Sequence, residues 1–156
     1  MVKRDMNLRN CVGITLLNHE KKIWSGERID HPGSFQMPQG GIDANETALD
    51  AAYRELFEET RIARHNIELI CQAAEKYDVL WPEEVAHKIW DARFSGQRYQ
   101  WFLFKLIDKD TTNINTSHPE FRSYKWASHS EIMENIVNFK KDMYKKVIEK
   151  FLKHLQ

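Results

Sequence analysis

Three carboxylates, Glu55, Glu58 and Glu59, follow a glycine pair, Gly40 and Gly41, within the stretch GGIDANETALDAAYRELFEETRI (residues 40–62). In an α-helix each residue turns about 100°, so Glu58 falls about 60° to one side of Glu55 and Glu59 about 40° to the other. All three share one stripe. Like charges at these spacings weaken a helix by a few tenths of a kcal/mol each, so a positive partner is expected. Hard divalent cations take carboxylate oxygens, and magnesium typically binds a few carboxylates while keeping water and substrate phosphate in its remaining positions. The stripe therefore reads as a magnesium platform, although a bare ExxEE face is more often merely solvated. The surroundings decide between the two. Arg54 adjoins the cluster and Glu46 stands near the helix start, both suited to orienting it by pairing. Gly40 and Gly41 carry no side chain, so their backbone can approach a metal or a phosphate closely.

The stretch as a whole reads G-x5-E-x7-R-E-L-x-E-E-x-R-I. It resembles the Nudix box, G-x5-E-x7-R-E-U-x-E-E-x-G-U with U aliphatic, and matches every fixed position except the last glycine, where Arg61 stands. The resemblance implies a metal-dependent hydrolase of a nucleoside diphosphate linked to another group, using Mg2+ or, in its place, Mn2+. Glycine commonly ends a helix in the left-handed conformation at no steric cost. Arginine there carries a strain on the order of 1 kcal/mol. The departure bears on stability more than on chemistry, since no metal ligand is lost.

The remainder of the chain must position that stretch. At 156 residues and 42% apolar composition, one domain over residues 1–156 with a substantial core is expected. Lysine plus arginine equals aspartate plus glutamate at 23 each, so net charge neither announces nor excludes nucleic acid and only local patches can speak. Cys11 and Cys71 lie in apolar stretches without metal-ligand spacing and read as buried free thiols in a reducing cytoplasm. The N-terminus lacks an apolar secretory core and no apolar run approaches 18 residues, so neither export nor a membrane span is expected.

Taken in order, Cys11–Asn18 and the following KIWSGERI predict a hairpin, and HPGSFQMPQGG predicts a loop feeding the helix. Asn45 is a plausible N-cap for a helix from about Glu46 to Thr60, packed through Ala48, Leu49, Ala52 and Leu56. NIELICQAAEKYDVLWP predicts one or two strands, and PEEVAHKIWDARFSGQ a long connection. The aromatic run RYQWFLFKLID predicts a central strand, and FRSYKW a short one after a polar loop. Ser128 and Glu131 form a possible capping box, and from Phe139 the apolar spacing predicts a long amphipathic closing helix. The fold class is α/β, a mixed sheet between helical layers. The resemblance implies the same arrangement, the Nudix-type α/β/α sandwich.

Beyond the box, RNCVGI, QMPQGGID, GQRYQWFLFKL, HPEF and NFKKDMYKKVIEKF resemble the bacterial RNA pyrophosphohydrolase branch of the Nudix hydrolases, whose relatives include dinucleoside polyphosphate hydrolases. The resemblance implies that Glu120, in His118-Pro119-Glu120-Phe121, reaches the metal cluster. It also implies that Arg9, Arg28, Phe139 and Lys140 clamp the first nucleotides. Phe139 could equally be core, and Lys140, Lys141, Lys145 and Lys146 could be a solvated helix face or a hold on RNA phosphates. The implied function is magnesium-dependent attack of water on a 5′-polyphosphate of RNA, leaving a 5′-monophosphate and promoting RNA decay, with no role for DNA or membrane. A hydrolase of dinucleoside polyphosphates such as diadenosine polyphosphates, and a catalytically silent RNA-binding module, are the rivals; the intact carboxylate set argues against the second. No protein partner is indicated.

Overall fold

A computed structural model describes residues 7–86 and 93–156. The sheet has eight strands: β1 (Leu8–Leu17), β2 (Ile23–Arg28), β3 (Phe35–Gln36), β4 (Gln39–Gly41), β5 (Ile67–Gln72), β6 (Tyr77–Leu80), β7 (Gly96–Leu106) and β8 (Phe121–Ala127). Four α-helices accompany it: α1 (Ala48–Thr60), the single turn α2 (Glu83–Ala86), α3 (His129–Asn135) and α4 (Lys141–Leu155). β1 and β7 lie parallel at the centre, in register from Leu8 with Gly96 to Leu17 with Lys105. β5 and β6 pair antiparallel with the far side of β7, and β4 with β1. The sheet is therefore mixed, and the aromatic run is its central strand.

Strand alternation assigns the core. On β7, Tyr99, Trp101 and Leu103 face the layer formed by α3 and α4, whereas Phe102, Phe104 and Leu106 face α1. Trp101 meets Tyr144 of α4 edge to face at 5.6 Å, and Tyr53 of α1 meets Phe104 at 5.1 Å. Each such side chain withdrawn from water contributes roughly 1.5–3 kcal/mol, so both helical layers are held on hydrophobic terms. α1 comes close because Ala51 and Ala52 are small and fully buried beside Leu56.

Several expectations shift. The hairpin consists of a single pair, Leu17 with Ile23; β2 then leaves β1 and runs antiparallel to β8. The expected loop HPGSFQMPQGG contains two short strands, because β4 finds backbone partners on β1 from Cys11 to Gly13. α1 begins two residues late: Thr47, not Asn45, is its N-cap and accepts from the Asp50 amide at 3.1 Å. Glu46 instead turns back to accept from the Asp43 amide at 2.8 Å, and Asn45 takes a left-handed φ of 68°. β7 starts at Gly96, within the predicted connection, of which residues 87–92 lie outside the described part. α4 starts at Lys141, Phe139 and Lys140 forming a 3-10 turn before it. The Ser128 capping box is present in both directions. Both cysteines are free, Cys11 buried and Cys71 half-buried.

Arg61 ends α1 in the left-handed region, φ 65°, its amide donating to the Phe57 carbonyl at 2.9 Å and its guanidinium lying 5.0 Å from the Phe57 ring. Replacing it by glycine relieves about 1 kcal/mol of backbone strain. The change also frees the unfolded chain by about 0.4–1 kcal/mol and removes a cation–π contact of about 0.5–1 kcal/mol. These effects nearly cancel. Thermal melts of Arg61→Gly should stay within about 1 kcal/mol of the parent; a larger loss would assign the guanidinium a structural role.

Candidate active site

Gly40 and Gly41 stand on β4, which is laid against β1, and α1 crosses close over it. That crossing leaves no room for a side chain: a Cβ on Gly40 would overlap the Glu55 carboxyl, and one on Gly41 would overlap the Arg9 guanidinium. A side chain at either position would have to push the Glu55 carboxyl or the Arg9 guanidinium aside. Arg54, one residue before Glu55, lies at the centre of the surrounding bonds. Its Nη2 donates to the Gly41 carbonyl at 2.8 Å and to Glu46 Oε1 at 2.6 Å, and its Nε to Glu46 Oε2 at 3.1 Å. Its Nη1 reaches Glu55 Oε1 at 3.0 Å and Glu58 Oε2 at 3.2 Å. The paired Arg54 holds Glu46 below the usual carboxylate range.

The three stripe carboxylates meet different environments. Glu58 is exposed, with 56% of its side chain open to solvent. Burial pushes Glu55 up to about 7, with Arg54 opposing and Glu58 reinforcing the rise. Glu59, 8% exposed, is pushed well above the ordinary carboxylate value by burial, then by the charges of Glu55 and Glu120. It accepts one backbone hydrogen bond, from the Gln39 amide at 3.3 Å. Glu120, which precedes β8, is thereby in electrostatic reach of Glu59.

Two clefts share Glu120. One, of about 340 Å³, is lined by Glu55, Glu58, Glu59 and Glu120, facing Arg61 and the segment Thr116–His118. The other, of about 390 Å³, is lined by Arg28, Gln39, Trp81, Phe139 and Lys140, among others. A polar trough thus opens into an aromatic one. Phe139 is half-buried and packs on the core while it also lines the second cleft. Arg28 lines that cleft while bound in a fork to Asp30 at 2.9 and 2.7 Å.

Two of the expected nucleotide contacts lie deeper than exposed basic groups would. Lys140 is not on the outer lysine face: it is 4% exposed, its Nζ donates to Gln39 Oε1 at 2.8 Å, and burial lowers it to about 7. The 3-10 turn rotates it inward, away from Lys141, Lys145 and Lys146. Arg9 lines neither cleft; its guanidinium lies over Gly41, where its charge acts on Glu55. Gln39 was missed. Its side-chain oxygen lies 2.7 Å from the Tyr99 hydroxyl and takes the Lys140 bond, while its amide serves Glu59, so it ties the two clefts together. Its place directly before Gly40 was the available signal. Trp81, just before Pro82, had none that separated it from core.

The carboxylates fit a hard divalent cation by chemistry: oxygen donors, a net negative cleft, and a buried carboxyl destabilised by its neighbours. Among the described residues, no three acidic, histidine or cysteine groups yet stand together closely enough to hold one. Arg54 pairs with both Glu55 and Glu58.

The crossing of α1 over a glycine strand, with this carboxylate set beneath a mixed sheet, defines the Nudix class, and the chain belongs to it: the NUDIX domain matches residues 7–147. Within that class the chain is 42% identical over 153 residues to the RNA pyrophosphohydrolase of Wolbachia pipientis subsp. Culex pipiens, covering 97% of this chain and 93% of that protein. It is 40% identical over 149 residues to the RNA pyrophosphohydrolase of Cereibacter sphaeroides, covering 94% and 92%. Among solved structures, the E. coli dihydroneopterin triphosphate pyrophosphohydrolase shares the fold, with a TM-score of 0.72 at 18% identity over 94% of this chain and 99% of that one.

Two predictions follow from the geometry. Gly40→Ala should leave the fold intact by circular dichroism yet displace Glu55, lowering turnover by roughly 10–100-fold, the usual cost of disturbing a ligand's support. The raised Glu55 carboxyl sets a pH dependence without divalent cations. Between its ordinary 4.5 and about 7, the unfolded chain has released this proton while the folded chain keeps it, so rising pH favours unfolding. Glu55→Gln should remove that slope, on the order of 3 kcal/mol at most; melts in chelator from pH 4.5 to 7.5 measure it, and parallel curves for the two proteins would refute the assignment.

Proposed function

We propose that this chain is an RNA 5′-pyrophosphohydrolase that attacks a phosphorus of the 5′-polyphosphate with water and leaves a 5′-monophosphate end. The observation that carries the reading is the junction of the two clefts at Glu120: carboxylates on one side, aromatic and basic groups fit for a nucleotide on the other. Relatives about 40% identical over nearly the whole chain are named for that activity, which supports it. No helix among the described residues is long and apolar enough to cross a membrane, in keeping with a cytoplasmic substrate.

Glu55, Glu58, Glu59 and Glu120, with the Gly40 backbone, would hold Mg2+ or Mn2+, the kind of divalent ion the family generally uses. When bound, such an ion neutralises phosphate charge and makes a coordinated water more acidic. The chain's own residues do the rest. Glu58, exposed in the cleft, accepts the proton of the attacking water. Arg54 and Glu46 fix the carboxylates through the bonds described above. Phe139 stacks on a base while Arg28 and Trp81 close the walls around it. Lys140 acts through Gln39 and not as a surface phosphate contact.

The decisive assay incubates the protein and Mg2+ with 5′-triphosphorylated RNA and with diadenosine tetraphosphate and identifies the products. A 5′-monophosphorylated RNA is expected; efficient cleavage of the dinucleotide alone would move the substrate to small polyphosphates, and no cleavage of either would leave a binding module. Glu58→Gln should lower turnover by roughly 10²–10⁴-fold, the range for a lost general base, with an unchanged melting profile. Phe139→Ala should depress kcat/KM on RNA by roughly 1–3 kcal/mol. Because the ring also packs on the core, its melting temperature must be read beside the kinetics: equal loss on both substrates with a large drop in stability would end the stacking role.

A further inference from the structure

Arg61 is the one fixed position at which this chain departs from its family's box, and the fold places it at a consequential point. It lines the first cleft, beside the carboxylates, and does not line the aromatic one. Its guanidinium rests against the exposed Phe57 ring, 5.0 Å away, and among the described residues no carboxylate holds it in an ion pair at 4.0 Å or less. Across the cleft stand Thr116, Ser117 and His118, the first two with hydroxyls. If the nucleoside lies in the aromatic cleft and the attacked phosphorus near Glu120 and the helix carboxylates, the rest of a polyphosphate must extend toward Arg61. A planar guanidinium with five donors is suited to grip phosphate oxygens there.

We propose that Arg61 binds the terminal phosphate of the 5′-polyphosphate, the part that departs on hydrolysis, and so makes this enzyme selective for the longer phosphate chain. The inference rests on the reading given under Proposed function. Left-handed backbone at Arg61 aids this role: the same φ of 65° that ends the helix carries the side chain off the helix onto the ridge between this cleft and a second hollow lined by His65 and Lys109. A glycine there would supply the turn and no charge.

The test compares the parent with Arg61→Gly, which keeps the backbone geometry, and Arg61→Lys, which keeps the charge. Steady-state kinetics on 5′-triphosphorylated and 5′-diphosphorylated RNA are read together with inhibition by inorganic pyrophosphate. Arg61→Gly should raise KM for the triphosphate and the pyrophosphate inhibition constant by about tenfold or more, the value of one charge-assisted hydrogen bond. KM for the shorter diphosphate and kcat on both should change by no more than about twofold. Arg61→Lys should recover part of the loss. Equal changes on both RNAs, or an unchanged pyrophosphate constant, would overturn the proposal and leave Arg61 a helix terminator. Failure of the parent to cleave either RNA would instead refute the substrate reading; pyrophosphate inhibition, measured then with diadenosine tetraphosphate, still decides the place of Arg61.

Discussion

The site depends on one guanidinium. Arg54 joins the carbonyl of β4, the loop carboxylate Glu46 and two carboxylates of α1, so it fastens helix, loop and strand in a single set of charge-assisted bonds. Without it, Glu55 and Glu58 would repel each other at a half-buried crossing, and the glycine strand would lose its lateral tie to the helix. The bonds to carboxylates are strengthened by charge on both partners, and the bond to the Gly41 carbonyl by the guanidinium's charge alone.

Around that centre the protein sorts its polar and apolar work by strand alternation. Successive residues of β7 feed one core layer beneath α1 and another beneath α4. α1 can be dense in charge because its alanines and Leu56 carry its attachment to the sheet. Gln39 then links the two sides of the site, since one side chain receives Lys140 and Tyr99 while its backbone amide serves Glu59. Disturbing either cleft is therefore felt in the other.

Much of this was legible in the sequence, for identifiable reasons. The stripe of Glu55, Glu58 and Glu59 needs only helical periodicity, which local sequence sets, and the aromatic density of β7 marks a strand buried on both faces. The capping box at Ser128 is likewise local. What escaped notice depends on contacts between distant segments. β4 is a strand only because β1 offers it partners, and β2 abandons β1 because β8 arrives from nearly a hundred residues away to pair with it. Lys140 looked like one lysine among four; a short 3-10 turn, invisible to periodicity, rotates it into the interior. Thr47 displaced Asn45 as the cap because Glu46 was needed by Arg54, a tertiary demand that no capping preference anticipates.

The parallel pairing of β1 with β7 also bears on how the chain acquires its fold during synthesis. β1 is made before α1, but its central neighbour arrives only with Gly96 to Leu106, after α1 has been made. Loop closure over so long a separation is slow, and contacts of this kind dominate folding times. Until β7 emerges, the apolar side of α1 has half of its bed missing, and the nascent segment presents alanine, leucine and unpaired strand edges to the cell. The walls of the two clefts are drawn from β2, α1, the segment before β8 and the turn before α4, so neither cleft is complete until the later part of the chain has been made.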